Sequence, residues 1–354
     1  MDGQAGQFTA CRQRLQAPAD GGRGRGRHRL SPPGQAAARR SGIIARMYQP
    51  LRAFRSEFVP IRTLSYHVRL WGTPTPGSVP LVLMHGWMDV GASYQFVVDA
   101  LSEAFAANRL ILAPDWRGFG LTMPGAPCDH YELSDYLADL DHLLDHYAPG
   151  QSVDLVGHSM GGNVVMTYAG VRPGRICRLV DLEGFGMPDV PAAKAPDRYA
   201  QWLDELRQYQ RGEKALKSYG SADGVAQRLM KTNPRLPADK AAWLATQWAR
   251  PDADGQWQVL GDAAHKIVRP HIYRADETLA LYARIAAPVL AVEASDDSLG
   301  QWFKGQYTLA DYHERLQHVP DCRTAIVQDA GHMLHHDQPQ AVAALIEEFL
   351  SATP

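Results

Sequence analysis

Acyl transfer by side chains alone needs a hydroxyl or thiol to attack, an imidazole to carry protons and a carboxylate to orient it. This sequence offers each of them near the end of a strand-like run. The hydroxyl is Ser159 in "VDLVGHSMGGNVV", Val153 to Val165. Serine is a poor strand former and a middling helix former, so local propensity does not explain it. Gly157-His158-Ser159-Met160-Gly161 is a G-x-S-x-G pattern set between a strand-like and a helix-like run, the context that the pattern requires. So sharp a turn strains the central residue and leaves no room for side chains two positions either side, where glycine stands. The helix starting at Met160 would turn free N–H groups and its positive dipole end toward the reacting atom.

Fourteen histidines compete for the role of base. His332, in "IVQDAGHMLHHDQP", falls in the loop between the last strand-like run and the last helix. His335 and His336 read as surface or helix-entry residues. The string His335-His336-Asp337 lacks a second ligand cluster along the sequence, and no metal is expected. His158 reads as a packing residue of the turn and His85 as a residue that shapes its loop. For the acid, "VLAVEASDDSL" ends a strand with two aspartates, of which Asp297 is the first choice and Asp296 the second. Glu183 in "LVDLEGFG" is a third candidate, while Asp181 falls within that strand. Strand-end carboxylates also cap neighbouring helices, a competing use for each.

The elements that must position these groups follow from patterning. "SEFVPIRT" and "LSYHVRLWG" read as an opening hairpin. "SVPLVLMHGW", "RLILAPDWRGFG", "SVDLVGHS" and "RICRLVDLEGFG" read as buried strands, with helical segments between them. That alternation predicts an α/β fold: a mostly parallel sheet flanked by helices. The rhythm stops after Met187 and resumes at "APVLAVEASDD". One core, 47–187 and 285–354, interrupted by a helical insertion, 188–284, fits better than two consecutive domains. The insertion is expected to form a cap, most of whose aromatic residues hold a small core of its own. Residues 1–46 have few large apolar groups and no periodicity, and read as a disordered or non-native extension.

Nine arginines and two aspartates give residues 1–46 a charge of +7, which leaves −9 on the rest of a chain whose net charge is −2. An acidic body argues against nucleic acid as the main partner. Four cysteines, Cys11, Cys128, Cys177 and Cys322, are widely spaced with no CxxC pair, so a reducing compartment is expected. No run approaches the roughly 20 apolar residues of a membrane span, and no secretory h-region is visible. The expectation is a cytoplasmic protein without a membrane partner; the sequence leaves the oligomeric state open. "DWRGFG" lacks the third glycine of a dinucleotide loop, so no cofactor is expected. Its Asp115 and Arg117 are read as fixing that turn.

The order Ser159, Asp297, His332, with "HGW" after the third core strand and "DWRGFG" after the fourth, resembles the α/β-hydrolase fold over nearly the whole chain after about residue 56. Within that fold, "HGWMDVGASYQ" together with "RPHIYRADETLALYARIAAPVL" is similar to the branch called serine-hydrolase-like proteins. The resemblance implies Ser159 as nucleophile, His332 as general base, Asp297 as orienting acid, and the backbone N–H groups of Trp87 and Met160 as oxyanion hole. One departure stands out: the family often has glycine three residues before the acid, where this chain has Ala294, and the choice between Asp296 and Asp297 stays open.

The expected function is hydrolysis of a carboxylic ester of a small to medium apolar molecule through an acyl-enzyme. Carbon–carbon bond hydrolysis and cofactor-free haloperoxidation are alternatives on the same fold. A ligand-binding receptor that keeps the scaffold is the alternative of another class. Epoxide hydrolases and haloalkane dehalogenases are disfavoured, because the resemblance implies a carboxylate where Ser159 stands.

Overall fold

Arg55–Ile61 (β1) and Leu64–Trp71 (β2) pair antiparallel, with Ile61 opposite Leu64 and Arg62 at the turn with a φ of 52°. The computed structural model describes residues 47–352; the reading of residues 1–46 lies outside them. After the hairpin come Leu81–Met84 (β3), Ile111–Pro114 (β4), Val153–His158 (β5) and Ile176–Leu182 (β6). Three short strands follow, Ser218–Tyr219 (β7), Ala249–Pro251 (β8) and Trp257–Val259 (β9). Val289–Ala294 (β10) and Cys322–Val327 (β11) complete the set.

Eight strands form one sheet in the order β1-β2-β4-β3-β5-β6-β10-β11. Every pairing from β4 to β11 is parallel, and only the hairpin end is antiparallel. β3, β4, β5 and β10 are buried along their whole length, which is why β3 and β4 read as unbroken apolar runs, while β5 and β10 each bury an acid, Asp154 and Glu293, among apolar residues. Alternation sorts their side chains between two cores. Val82, Met84 and Leu155 face Leu140, Leu144, Val164 and Tyr168 on one side. Leu81, Leu83 and Val156 face Val97, Val98, Ile346 and Phe349 on the other. A three-layer α/β arrangement results, and the loops at the carboxyl ends of the parallel strands meet at one edge, where such sheets bind ligands.

Residues 188–284 contain the helices Ala195–Gln210, Ala222–Thr232, Ala238–Trp248 and Ala275–Tyr282. They also hold a small antiparallel sheet, β7-β9-β8, where the sequence predicts only helices and loops. Strands of two or three residues are too short to show a period-two pattern. Val225, Leu229, Trp243 and Leu244 of this segment are buried in a cluster with Val90, Ala92 and Phe96. No helix among the described residues is long and apolar enough to cross a membrane.

Candidate active site

β5 runs into the helix Met160–Val171 through a single residue, Ser159, with φ 53° and ψ −116°. For a residue other than glycine this is a strained conformation, which persists only where its surroundings over-determine it. Two surroundings do so here. The Ser159 N–H donates to the Leu182 carbonyl at 2.9 Å, and its carbonyl accepts the N–H of Asn163 at 3.0 Å. Close packing is the other: a methyl on Gly161 would stand 2.3 Å from the Met84 carbonyl oxygen, and one on Gly157 2.6 Å from the Gly161 backbone. Although Ser159 occupies the N-cap position, its side chain makes no capping bond. The hydroxyl points elsewhere.

Its partner is His332. The Ser159 Oγ–H donates to His332 Nε2 at 2.9 Å, and His332 Nδ1–H donates to Glu183 Oε2 at 3.1 Å. The carboxylate only accepts, which sets the tautomer that leaves a lone pair on Nε2 for the hydroxyl. The other oxygen of Glu183 accepts the Ala294 N–H at 2.7 Å, and its side chain is 1% exposed. Glu183 follows β6 with a φ of 57°, a second strained residue in the same line.

Asp297, the first choice for this contact, is elsewhere. Its Oδ1 accepts the Gly300 N–H at 2.7 Å and caps the helix Ser298–Phe303. Asp296 pairs with Arg235 of the insertion, Nη1 to Oδ2 at 2.7 Å. The carboxylate on His332 is therefore Glu183, and the helix-capping use of strand-end acids applies to Asp297. The reason is non-local: β6 lies beside β10, so the residue just after β6 reaches the amide of Ala294 at the end of β10 and the loop that carries His332. In the sequence, Glu183 and His332 are 149 residues apart.

Met160 opens its helix, and its N–H is one of the groups without an intrahelical acceptor. Trp87 follows Gly86, where a methyl would lie 3.2 Å from Ser159 Cβ and 2.9 Å from His158 Nδ1. Trp87 is half exposed and Met88 beyond it has a φ of 54°. Trp302, which the sequence reading passed over, sets its ring edge-on to His332, with centroids 4.3 Å apart and planes at 83°. Its only signal was an aromatic five residues beyond a strand-end aspartate.

The supporting residues behave largely as their positions suggested. His85 Nε2 accepts the Trp116 N–H at 2.8 Å, and its Nδ1–H donates to the Gly86 carbonyl at 2.8 Å. Asp115 accepts the N–H groups of Gly91 and Leu121 and bonds His67 Nδ1, and Arg117 forks onto Asp139. His158 is packed behind the serine with its Nε2–H donating to the His332 carbonyl at 2.7 Å. Burial, with His335 and His332 close by, holds its imidazole well below the usual histidine range. His335 and His336 do not lie on the surface. They sit in the short helix Leu334–Asp337 and are 0% and 2% exposed.

Comparison with known proteins agrees with this geometry at the level of family. The family model for the alpha/beta hydrolase fold matches residues 79–339. The chain is 25% identical over 306 residues to a serine hydrolase-like protein of Danio rerio, covering 85% of this chain and 90% of that one. It is 23% identical over 342 residues to epoxide hydrolase A of Mycobacterium tuberculosis, covering 82% and 96%. Among solved structures, a hypothetical protein of Pseudomonas aeruginosa PAO1 superposes with a TM-score of 0.69 at 23% identity, covering 83% of this chain and 97% of that chain.

Proposed function

The chain belongs to the α/β-hydrolase fold family, and from that premise we propose that it is a cofactor-free serine hydrolase that cleaves carboxylic esters of small to medium apolar molecules. The observation that carries this reading is the continuous line Ser159 Oγ, His332 Nε2, His332 Nδ1, Glu183 Oε2, with bonds of 2.9 and 3.1 Å. Ser159 Oγ attacks the ester carbonyl carbon while its proton passes to His332 Nε2. Glu183 stabilises the imidazolium and keeps its orientation. The oxygen of the tetrahedral intermediate takes its negative charge beside the N–H groups of Met160 and Trp87, and one such donor is worth about 100- to 1,000-fold in turnover. His332 returns the proton to the leaving alcohol, and water attacks the acyl-serine by the same route.

Residues 188–284 act as the cap in this reading. Asn233 Nδ2 donates to Asp337 Oδ1 at 2.7 Å and Arg235 pairs with Asp296. These bonds tie the insertion to the short helix after His332 and to the turn after β10. Exposed Trp87 and Trp302 supply apolar surface for an acyl or alcohol group. Similarity to an epoxide hydrolase does not carry that reaction over, because the residue at the turn is an alcohol and not a carboxylate.

Labelling with a fluorophosphonate and turnover of p-nitrophenyl esters of graded chain length test the reading. Both are expected in the native chain and absent in Ser159→Ala. A chain that binds apolar ligands tightly, with no labelling and no turnover, is a receptor and sinks the proposal.

A further inference from the structure

Behind the catalytic line lies a group of buried polar atoms that stand beyond hydrogen-bond distance of any partner. Asp89, His158 and His335 are 2%, 1% and 0% exposed. Their metal-binding atoms all lie within 4.8 Å of one another, with Asp89 Oδ2 3.6 Å from His335 Nε2. His158 spends its one proton on the His332 carbonyl, so its Nδ1 carries an inward lone pair. Asp89 Oδ1 already accepts the Val90 N–H at 2.8 Å and the Ser93 hydroxyl. Oδ2 is left over. Asp89 Oδ2, His158 Nδ1 and both ring nitrogens of His335 have no hydrogen-bond partner. Orphaned buried polar atoms cost roughly 1–3 kcal/mol each; even with a His335 N–H turned toward Asp89 Oδ2 at 3.6 Å, one lone pair on His335 and the inward one on His158 have no donor.

We propose that Asp89, His158 and His335 form a binding site for a divalent ion of the zinc class. Two imidazoles and one carboxylate are a three-ligand set that zinc accepts, leaving a fourth position open. In a tetrahedral site with bonds of about 2.0–2.2 Å the ligand atoms stand about 3.3–3.5 Å apart. The Asp89–His335 pair is close to that spacing at 3.6 Å, and the remaining contacts, within 4.8 Å, tighten by up to about 1.5 Å. The surroundings are those of a ligand shell: a ligating imidazole whose other nitrogen holds a carbonyl, and a carboxylate whose other oxygen is held by an amide and a hydroxyl. The carbonyl held by His158 belongs to His332, so an occupied site bears directly on the position of that loop.

The untagged full chain is stripped with a chelator. Zn2+ or Co2+ is then supplied both to the folded protein and during refolding, because the ligands are buried. One equivalent per chain is expected, with a raised midpoint of thermal unfolding and a Co2+ visible spectrum free of a thiolate band. These signals are expected to persist in Ser159→Ala and His332→Gln and to weaken about 10- to 100-fold or more in His335→Gln and Asp89→Asn. Should Asp89→Asn fail to fold, X-ray absorption of the zinc-loaded native chain decides, with imidazole nitrogens in the first shell expected. Lack of stoichiometric binding, a sulfur-ligated ion, or binding lost in His332→Gln but kept in His335→Gln overturns the proposal. No readout here depends on ester turnover, so this site and the proposed hydrolysis fail separately.

Discussion

Glu183 and His332 meet at 3.1 Å between Oε2 and Nδ1, with the carboxylate almost wholly shielded from water. The same carboxylate also accepts the Ala294 amide. A carboxylate fixed at both oxygens holds the imidazole in one orientation without freedom to swing away. Glu183→Gln is expected to lower kcat for p-nitrophenyl esters by about 1,000- to 10,000-fold, because an amide selects the wrong imidazole tautomer. Asp297→Ala is expected to leave kcat within a few-fold and to cost about 1 kcal/mol of stability through the lost cap. Steady-state kinetics and urea denaturation of both variants decide; the reverse pattern returns the acid to Asp297.

Gly86 brings its backbone close against Ser159 and His158. Its missing side chain would press on His158 Nδ1 at 2.9 Å and on Ser159 Cβ at 3.2 Å. Gly86→Ala is expected to lower kcat/KM by about 100-fold, the size of effect that follows an ångström of misplacement. Native-like circular dichroism with full activity would show that this gap does not matter.

His265 lies stacked between Phe119 and Tyr131, with ring centroids 3.8 and 3.9 Å away. Burial lowers its pKa to about 4. The folded chain thus holds His265 neutral where the unfolded chain, with an ordinary value near 6.5, takes up a proton. Its contribution is fully present above about pH 6.5 and is lost as pH falls toward 4, by about 1–3 kcal/mol allowing for its partly exposed edge. Denaturation at pH 7 and pH 5 measures that slope, which is expected to flatten in His265→Gln. An unchanged slope assigns the effect to other groups.

Asp337 joins the insertion to the loop that carries His332: Oδ2 accepts the Gly331 N–H at 2.9 Å and Oδ1 accepts Asn233 Nδ2–H at 2.7 Å. Removing it frees the residue next to His332. Asp337→Ala is expected to reduce kcat by about 10- to 100-fold through misplacement of the imidazole. Asn233→Ala is expected to do less, since the Gly331 bond survives. Equal losses in the two variants would place the effect in the insertion rather than in the loop.

Much of this molecule was legible locally. Unbroken apolar runs marked β3 and β4, because strands buried on both faces need no polar alternation. The glycine frame marked Ser159, because only that spacing lets a tight turn pack against β3. His332 stood out by its place after the last strand. By contrast, β7–β9 were too short to signal themselves, and the polarity of His335 and His336 concealed complete burial. Trp302 carried no pattern that set it apart from any exposed aromatic.

What the sequence determined by itself was the strands of the main sheet and the serine at the turn after β5, since each is written within a dozen neighbouring residues. Which carboxylate reaches His332 was decided by tertiary structure alone. Asp296, Asp297 and Glu183 are chemically alike and all lie at strand ends. Only the lateral order of β6 beside β10 carries Glu183 to the imidazole while the aspartates serve a helix N-terminus and an arginine. Strand order depends on contacts between residues more than a hundred positions apart, and no local pattern of side chains encodes such a distance.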